Sequence, residues 1–363
     1  MSSKRLLFIP VSSPAGIGEY MRSLLLAQTL KAELADKVDV HFVLNKHSSY
    51  AEACPFETTL LNHSATKERG KVVQVIEKIK PDVVIFDCAG RAAHMKAAKN
   101  AGAKVVFISQ HAKKRAKGLK LNRAGLIDFH WVVQPNYCIE PLSWLEKAKL
   151  ALFPLASPAN VGPFIVFATI EQKKQVLNNF KLESQGYFIV SAGSGGHVIE
   201  GSNCADVYFQ AALKISQRTG LKGVVVFGSN YNKKLPKTDQ LLCLSSQGNE
   251  DFLALLSEAK MAVLSAGDTL LQAIAVRTPV VACAISKDQL ARLESCVKTQ
   301  VVVRSELEVD AIVARVEQVI NEPLYTKITQ EYKYLEIKNS FDVVTEGVKA
   351  LLLEVNNEYS DSN

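Results

Sequence analysis

The chain of 363 residues is long enough for two domains, and because 48% of it is apolar each domain can bury a core. No apolar run approaches the roughly 18 residues of a membrane-spanning helix. The seven cysteines contain no Cys-x-x-Cys pair, which argues against a disulfide framework or a zinc site and favours free thiols. The formal net charge of +7 is compatible with anionic substrates, an anionic membrane surface or nucleic acid.

The N-terminal stretch MSSKRLLFIPVSS is basic and briefly apolar, as the beginning of a signal peptide is. Its apolar run is very short, however, and no clear small-residue cleavage site follows it. We therefore interpret it as a first β-strand. We expect a cytoplasmic protein, which its basic surface could hold at the inner face of the membrane.

Strands and helices alternate along residues 5–135. Apolar runs predict strands at residues 5–11, 37–44, 58–62, 81–87, 103–109 and 129–135. Periodic apolar positions predict helices at residues 17–34, 68–80 and 92–102. Continuous apolar strands that are separated by helices are typical of a parallel sheet covered on both faces, so we expect an α/β fold.

A second alternation follows an irregular stretch at residues 138–169. The segment ALFPLASPANVGPFIV, residues 151–166, contains three prolines and predicts an interdomain connection. Beyond it, strands begin at residues 187, 223, 240 and 300, a strand–helix–strand unit covers 260–285, and helices cover 204–220, 249–259, 287–296, 308–321 and 339–355. We therefore predict an N-terminal domain (1–160), a C-terminal domain (161–338), and a final segment (339–363) whose helix packs back on the N-terminal domain before a flexible tail.

Ligands of open parallel sheets bind beyond the carboxyl ends of the strands, so the loops that follow strands are candidate sites. The loop SAGSGGH, Ser191–His197, has three glycines that would let backbone N–H groups approach an anion: Gly193, Gly195 and Gly196. It matches neither a Walker A loop nor Gly-x-Gly-x-x-Gly. A plain flexible turn explains it equally well.

Two further loops precede helices in the C-terminal half. In SAGDTLLQAIAVRTPVV a helix begins near Asp268 or Thr269, and its N-terminus offers free N–H groups to a diphosphate, with Gln272 one turn further along. In ISKDQLARLES, Asp288 and Gln289 pair a carboxylate with a carboxamide, which suits the hydroxyls of a sugar. The alternative in both loops is an ordinary helix cap.

Two features of the N-terminal half complete the candidate set. PAGIGEYMRSLLLAQTL, Pro14–Leu30, places glycines, Glu19 and Arg22 at the beginning of a helix. HAKKRAKGLKLNR, His111–Arg123, is rich in lysine and arginine and has no acidic residue. It is either a solvated surface loop or a patch for phosphate-bearing acceptors or anionic lipid. Nucleic acid is a less favoured partner, because no aromatic residues are interleaved to stack on bases.

Taken together, the quoted motifs resemble GT-B glycosyltransferases. The segment LLSEAKMAVLSAGDTLLQAIAVRTPVVACAISKDQLARLES is similar to the donor-binding half of family-28-like and family-1-like enzymes. Relatives include the N-acetylglucosaminyltransferase that makes lipid II and the UDP-sugar hydrolase of the pseudaminic acid pathway. GIGEYMRSLLLAQTL is similar to their N-terminal Gly-x-Gly-His-x-x-Arg-Ser loop, with Glu19 in place of histidine, and Val161–Ile165 resembles their interdomain Gly-Pro segment.

The resemblance implies two Rossmann-like domains facing across a cleft and a UDP-sugar donor on the C-terminal domain. The donor diphosphate would lie on Gly193–Gly196, with Ser194, and on Gly267–Thr269. Gln272 has the position of the ribose-binding residue, and Asp288 and Gln289 have those of the residues that contact the sugar. No metal and no cofactor are implied. The acceptor would bind beside five residues of the N-terminal domain in addition to the candidate base Glu19: Gly16, Gly18, Arg22, Lys114 and Arg115.

The leading hypothesis is a metal-independent glycosyltransferase that acts on a cell-envelope glycan or a lipid-linked acceptor. Two alternatives remain: a nucleotide-sugar hydrolase, which uses water as the acceptor, and a sugar-nucleotide-binding protein without turnover. The replacement of the loop histidine by Glu19 fits either a carboxylate base or the loss of that function.

Overall fold

The computed structural model describes residues 3–11, 17–165, 167–337 and 340–360, with the side chains of all of these except Asp288 and residues 354–360. The chain divides into two compact units, one formed by Met1–Phe164 with Lys338–Asn363, the other by Ile165–Ile337. The first unit is therefore built from two separate segments of the chain, and the second from a single continuous one.

Among the described residues, the first unit has a seven-stranded parallel sheet in the order β3-β2-β1-β4-β5-β6-β7. Its strands are β1 (Lys4–Pro10), β2 (Val38–Asn45), β3 (Glu57–Leu61), β4 (Val83–Asp87), β5 (Lys104–Ser109), β6 (Phe129–Val132) and β7 (Pro158–Asn160). Its first five helices are α1 (Gly18–Leu34), α2 (Arg69–Ile79), α3 (Ala92–Asn100), α4 (Ala112–Gly118) and α5 (Trp144–Leu152).

Strand β1 shows why these strands appear as continuous apolar runs in the sequence. Leu6 and Phe8 pack into a cluster with α1, whereas Leu7 and Ile9 pack into a second cluster with α2 and α3. All four side chains are fully buried. Because successive residues of a strand face opposite sides of the sheet, a sheet with helices on both faces needs apolar residues at every position.

The second unit repeats this architecture with, in its described residues, a six-stranded parallel sheet in the order β12-β11-β8-β13-β14-β15. Its strands are β8 (Tyr187–Ser191), β9 (Val198–Ile199), β10 (Ser202–Asn203), β11 (Lys222–Val226), β12 (Leu241–Leu244), β13 (Met261–Ser265), β14 (Val280–Cys283) and β15 (Val302–Arg304). Its helices are α6 (Ile170–Phe180), α7 (Cys204–Thr219), α8 (Asn249–Glu258), α9 (Asp268–Ala275), α10 (Lys287–Val297), α11 (Val309–Ile320) and α12 (Glu322–Glu331). Strands β9 and β10 form a small antiparallel hairpin beside the sheet. Strands β11 and β12 lie on one side of β8, and the later strands β13, β14 and β15 lie on its other side. The strand order therefore reverses between β8 and β13.

Helix α13 (Ser340–Ser360) completes the core of the first unit. Its residues Val344, Val348 and Leu351 lie in the same buried cluster as the apolar face of α1. Gly347 allows α13 to approach β6 closely, because a side-chain carbon at this position would lie 2.6 Å from the Trp131 ring. Helix α13 continues beyond its predicted end at residue 355. Residues 361–363 of the predicted tail lie outside the described part of the chain.

The segment predicted as an interdomain connection, residues 151–166, contains more structure than expected. The end of α5 and all of β7 lie within it, and β7 pairs with β6 at the edge of the first sheet. Pro158 begins that strand, where a missing N–H is tolerated because the strand is at an edge. The unit boundary follows Phe164, so most of this proline-containing segment belongs to the first unit.

Candidate functional site

Two glycine-containing loops, which follow β8 and β11, pack closely against each other at the carboxyl edge of the second sheet. A side-chain carbon on Gly195 would lie 2.0 Å from the Phe227 carbonyl oxygen, and one on Gly228 would lie 2.3 Å from the Gly193 carbonyl oxygen. Gly195 and Gly228 have φ values of +80° and +91°, which other residues rarely adopt. These glycines are therefore required first of all for the close packing of one loop against the other.

The next residues of the first loop continue this packing. The Ser194 carbonyl oxygen accepts a hydrogen bond of 2.8 Å from the Asn230 backbone N–H. A side-chain carbon on Gly196 would lie 3.1 Å from the Cβ atom of Asn230. The loop after β8 is thus packed closely against the neighbouring loop.

The glycine loop, which follows β8, meets the loops that follow the two adjacent strands β13 and β14. A side-chain carbon on Gly193 would lie 3.3 Å from Ser265 Oγ, and one on Gly267 would lie 3.6 Å from Gln289 Nε2. The loops after β8, β13 and β14 therefore lie together, at the point where the strand order reverses, which is where open α/β sheets bind ligands. The side chain of Asp288, predicted as a sugar contact, lies outside the described part of the structure.

Helix α9 begins at this site without a side-chain cap. Gly267 is the N-cap residue and Asp268 is the first helical residue, so the alternative that Asp268 caps the helix is wrong. Asp268 Oδ1 instead lies 3.1 Å from Arg292 Nη1 of α10, and that nitrogen also lies 3.4 Å from the Ala266 carbonyl oxygen. Arg292 offsets the negative charge at the helix N-terminus, and the sequence reasoning did not identify it.

The remaining predicted side chains of the second unit are already partly held by protein groups. Gln289 Oε1 accepts a hydrogen bond of 3.1 Å from the Ile285 backbone N–H, which leaves its amide nitrogen next to Gly267. Gln272 Nε2 donates to Asn249 Oδ1 at 3.0 Å. Thr269 Oγ1 is shielded from solvent and has no hydrogen-bond partner among the described residues. This hydroxyl, the α9 N-terminus and Arg292 are the groups available to an anion.

In the first unit, Arg22 and Asp87 form a buried ion pair. Arg22 Nε and Nη2 donate to the two Asp87 carboxylate oxygens at 2.8 and 2.6 Å, and the Ser23 hydroxyl lies 3.4 Å from the same carboxylate. Burial by itself would lower the pKa of Arg22, but Asp87 more than compensates and raises it. Arg22 therefore fixes α1 to the end of β4, which corrects its predicted place among residues that contact the acceptor.

Glu19 and Lys114 lie near this pair. Burial raises the pKa of the Cys88 thiol well above its usual value, and the charges of Asp87, Arg22, Glu19 and Lys114 also act on it. Glu19 is in the first turn of α1, directly after Gly18. The candidate base and one predicted lysine therefore both act electrostatically on the same buried thiol. Gly16 lies outside the described residues.

Arg115, predicted on the acceptor side, is a packing residue instead. Arg115 is 3% exposed, and its guanidinium donates to both Glu146 carboxylate oxygens, at 3.3 and 2.9 Å, and to the carbonyl oxygens of Glu140 and Pro141. Burial would raise the pKa of Glu146, but Arg115 and the Ser143 groups lower it. Helix α4 forms part of the basic run, and Arg115 joins α4 to α5, whereas Lys113, Lys117 and Lys120 are exposed.

The described residues include no group of three or more His, Cys, Asp or Glu side chains placed to hold a metal ion. Nor does any helix in this part of the chain have both the length and the hydropathy that crossing a bilayer requires.

Comparison with solved structures gives matches over nearly the whole chain. The glycosyltransferase of kitacinnamycin matches with a TM-score of 0.62 and 13% identity, over 97% of this chain and 100% of its own. The spinosyn forosaminyltransferase matches with a TM-score of 0.62 and 12% identity, over 97% and 100%. The UDP-GlcNAc 2-epimerase from Neisseria meningitidis, bound to UDP-GlcNAc, matches with a TM-score of 0.62 and 14% identity, over 95% and 100%.

The chain has the fold of these enzymes. The predicted α/β architecture with two parallel-sheet units and its likeness to GT-B glycosyltransferases are both confirmed at the level of fold. No protein-family model matches the sequence, and no curated protein matches it in a search by sequence. Because the identities are low, the activity has to be argued from the residues themselves.

Proposed function

We propose that this protein is a glycosyltransferase that moves a sugar from a UDP-sugar to an acceptor hydroxyl without a metal ion. The observation that carries the proposal is the meeting of the glycine loop, the uncapped α9 N-terminus and Arg292 at the reversal of strand order. Structures with this fold include one bound to UDP-GlcNAc and one bound to UDP, which supports the choice of donor.

In this proposal the donor diphosphate lies at the beginning of α9. The helix dipole and free N–H groups, the Thr269 hydroxyl and the Arg292 guanidinium would stabilise the charge that develops on the leaving diphosphate. The glycine loop Gly193–Gly196 would contribute backbone N–H groups. Gln272 would bind the ribose, and the Gln289 amide nitrogen would donate to a sugar hydroxyl. These roles require no cofactor.

Glu19 would act as the general base on the acceptor hydroxyl. Its place in the first turn of α1 is fixed by the Arg22–Asp87 pair, which ties that helix to the sheet edge. Lys114 would lie on the acceptor side of the same edge. We further propose that the acceptor is a cell-envelope glycan or a lipid-linked intermediate, because the surface of this unit also has features suited to a membrane.

Those features are exposed apolar side chains on and next to α5. Trp144 and Leu152 are each 76% exposed, and Leu145 and Phe153 are also exposed. The lysines of α4 lie on the neighbouring helix, because Arg115 and Glu146 join α4 to α5. An apolar ridge beside lysines is typical of a surface that binds an anionic lipid bilayer from one side.

Calorimetric titration with UDP tests the donor site. The wild-type protein should bind UDP, and Thr269→Val should weaken binding by about tenfold, the equivalent of one hydrogen bond of about 1.4 kcal/mol. Thr326→Val is the matched control, because Thr326 is exposed on α12. No binding of UDP or any UDP-sugar by a folded protein would refute the proposal, and equal loss in both variants would remove Thr269 from the site.

Turnover assays test the base and the reaction type. Glu19→Gln should abolish sugar transfer while it leaves UDP affinity within about twofold, since Glu19 and the donor site belong to different units. Retained transfer would exclude Glu19 as the base. Rapid release of UDP from a UDP-sugar without acceptor would replace transfer by hydrolysis, and donor binding without any turnover would leave a non-catalytic binding protein.

Sedimentation with lipid vesicles tests the membrane surface. The protein should bind vesicles that contain phosphatidylglycerol more strongly than neutral ones, and the double variant Trp144→Ser, Leu152→Ser should lose this binding. Ile170→Ser is the matched control, because Ile170 is 66% exposed in the second unit. Unchanged binding of the double variant would exclude α5 as the docking surface.

A further inference from the structure

Three arginines of the first unit gather where α2 and α3 begin, and the described residues place no carboxylate against any of them. Arg69 is the first residue of α2, and Arg91 is the N-cap residue of α3. Arg123 follows the basic helix α4 in the chain. Arg91 Nε donates to the Thr66 carbonyl oxygen at 3.2 Å. This is the only hydrogen bond that the Arg91 side chain donates in the described part of the chain. Arg69 and Arg91 are exposed, whereas Arg123 is buried, and a buried cation is normally paired.

Arg123 is the most deeply buried member of the cluster. It is 6% exposed, its Nη2 donates to the Gly90 carbonyl oxygen at 3.0 Å, and its guanidinium lies 5.2 Å from the centre of the Phe107 ring. Its other terminal nitrogen, Nη1, is buried and has no hydrogen-bond partner among the described residues. Burial, followed by the charge of Arg91, lowers the pKa of Arg123 to about 10. The Arg123 guanidinium is therefore buried without an acidic partner among the described residues.

His94 shows that the three arginines converge on one place. The ring is fully buried, and its Nδ1 accepts a hydrogen bond of 3.3 Å from the Arg91 backbone N–H. Burial is the main cause that lowers the pKa of His94 to about 4, and the charges of Arg69, Arg91 and Arg123 lower it further, whereas a backbone group of Arg69 acts in the opposite direction. The imidazole is thus neutral at pH 7 and contacts the beginning of α3 through the Arg91 backbone.

An open cavity lies against this cluster. Its volume is about 440 Å³, and its lining consists of Thr66, Arg69, Arg91, Ala92, Ala93 and Asn122. Ala92 and Ala93 are the first residues of α3, so the cavity faces the N-termini of two helices of 11 and 9 residues, whose dipoles favour an anion.

The acidic residues nearest to this cavity do not neutralise it. Glu68, the N-cap residue of α2, pairs with Lys71 at 2.7 Å and accepts a hydrogen bond from the His63 backbone N–H. Glu77 lies two turns further along α2 and lines an adjoining groove between α2 and α3, together with Val73 and Leu126. Small residues, including Gly70 and Ala97, and polar side chains also line that groove, the polar ones being Arg69, Lys96, Asn100 and Asn122.

We propose that this cavity binds the phosphate group of a ligand. Guanidinium groups match the paired oxygens of a phosphate, and helix N-termini add N–H donors from a second direction. The ligand's phosphate would lie against Arg69 and Arg91, with Arg123 supplying positive charge from beneath. This inference rests on the proposed function for one point, the identity of the ligand as the acceptor. The acceptor would then carry a phosphate, either on a soluble compound or on a lipid whose chain occupies the α2–α3 groove.

Calorimetric titration with inorganic phosphate, pyrophosphate and dodecyl phosphate tests the site, with dodecyl maltoside as the uncharged control. The wild-type protein should bind the phosphates and not the maltoside. Arg69→Gln and Arg91→Gln should each weaken binding at least about tenfold, whereas Arg315→Gln, an exposed arginine of the second unit, should not change it. Tighter binding of dodecyl phosphate than of pyrophosphate would identify a lipid ligand, and equal binding would identify a soluble one.

Two controls keep the result separate from the proposed function and from misfolding. UDP affinity should be unchanged in Arg69→Gln and Arg91→Gln, because the UDP site lies in the other unit. Trp131 fluorescence should show that the first unit is still folded in both variants. Phosphate binding by a protein that does not bind UDP would refute the proposed donor and leave this site intact. Phosphate binding that is absent, or equal in wild type and both variants, would overturn the site itself.

Discussion

The buried pair between Arg22 and Asp87 allows a quantitative prediction for the variant Asp87→Asn. The substitution keeps the size of the side chain but leaves the Arg22 charge, which is 7% exposed, without its partner at 2.6 Å. The new amide nitrogen would also face guanidinium donors. Loss of one partner of a buried pair costs about 3–5 kcal/mol. For a domain of this size, that cost lowers the melting temperature by roughly 6–20 °C.

Tryptophan fluorescence is the appropriate assay. Both tryptophans, Trp131 and Trp144, belong to the first unit, and only Trp131 is buried. Its signal during denaturation by urea therefore reports on the unit that contains the ion pair and is silent on the other unit. The free energy of unfolding obtained from this signal should be about 3–5 kcal/mol lower in Asp87→Asn than in wild type.

Two further variants separate the buried pair from charge effects in general. Glu346→Gln removes the carboxylate of a pair with Lys349 in which Glu346 is 71% exposed, and it should cost no more than about 1 kcal/mol. Arg22→Met combined with Asp87→Leu should restore most of the lost stability, because neither charge then remains buried alone. A loss in Asp87→Asn no larger than in Glu346→Gln would refute the reasoning.

Three other predictions follow from single positions. Gly195→Ala should destabilise the second unit by about 1–3 kcal/mol more than Gly201→Ala and weaken UDP binding, because both glycines have φ +80° but only Gly195 meets a neighbouring atom; equal melting curves would contradict this. Gly347→Ala should cost about 1–3 kcal/mol and change Trp131 fluorescence, whereas an unchanged emission spectrum would argue against the contact. The pKa of His94 is about 4 in the folded protein and near 6.5 ordinarily, so the stability that the neutral imidazole contributes is fully present above pH 6.5. Urea unfolding should show the free energy of unfolding falling by up to about 1.4 kcal/mol per pH unit from pH 6.5 to pH 4. His94→Gln should flatten that slope.

The sequence predicted the sheets well because their strands are buried on both faces. Strands such as β1 and β4 therefore appear as unbroken apolar runs, and amphipathic helices such as α2 separate them. Four helices were missed, α4, α5, α6 and α12. Two of them begin with a capping box, between Ser143 and Glu146 in α5 and between Thr169 and Gln172 in α6. Helix α5 lies in the irregular stretch at residues 138–169, whose prolines are typical of a linker, and α6 begins directly after that stretch.

The burial and the pairing of charged residues could not be predicted in the same way. Arg115 and its partner Glu146 are 31 positions apart, and Arg22 and Asp87 are 65 apart, so neither pair leaves a local signal. Whether an arginine is buried or exposed depends on the partner that the tertiary structure supplies. The glycines of Ser191–His197 illustrate the same limit, because Gly195 is required by contact with Phe227, a residue of another loop.

The two-segment construction of the first unit has a consequence for biosynthesis. Its core lacks Val344, Val348 and Leu351 until helix α13 has left the ribosome, after the whole of Ile165–Ile337 has been made. At translation rates of about 5–20 residues per second, the earlier segment waits roughly 10–35 s with its α1 face uncovered. The second unit, which is continuous in the chain, can finish folding first. Assembly during translation would thus proceed in the reverse of the order in which the two sheets are synthesised, and chaperone binding to the exposed α1 face is expected during that interval.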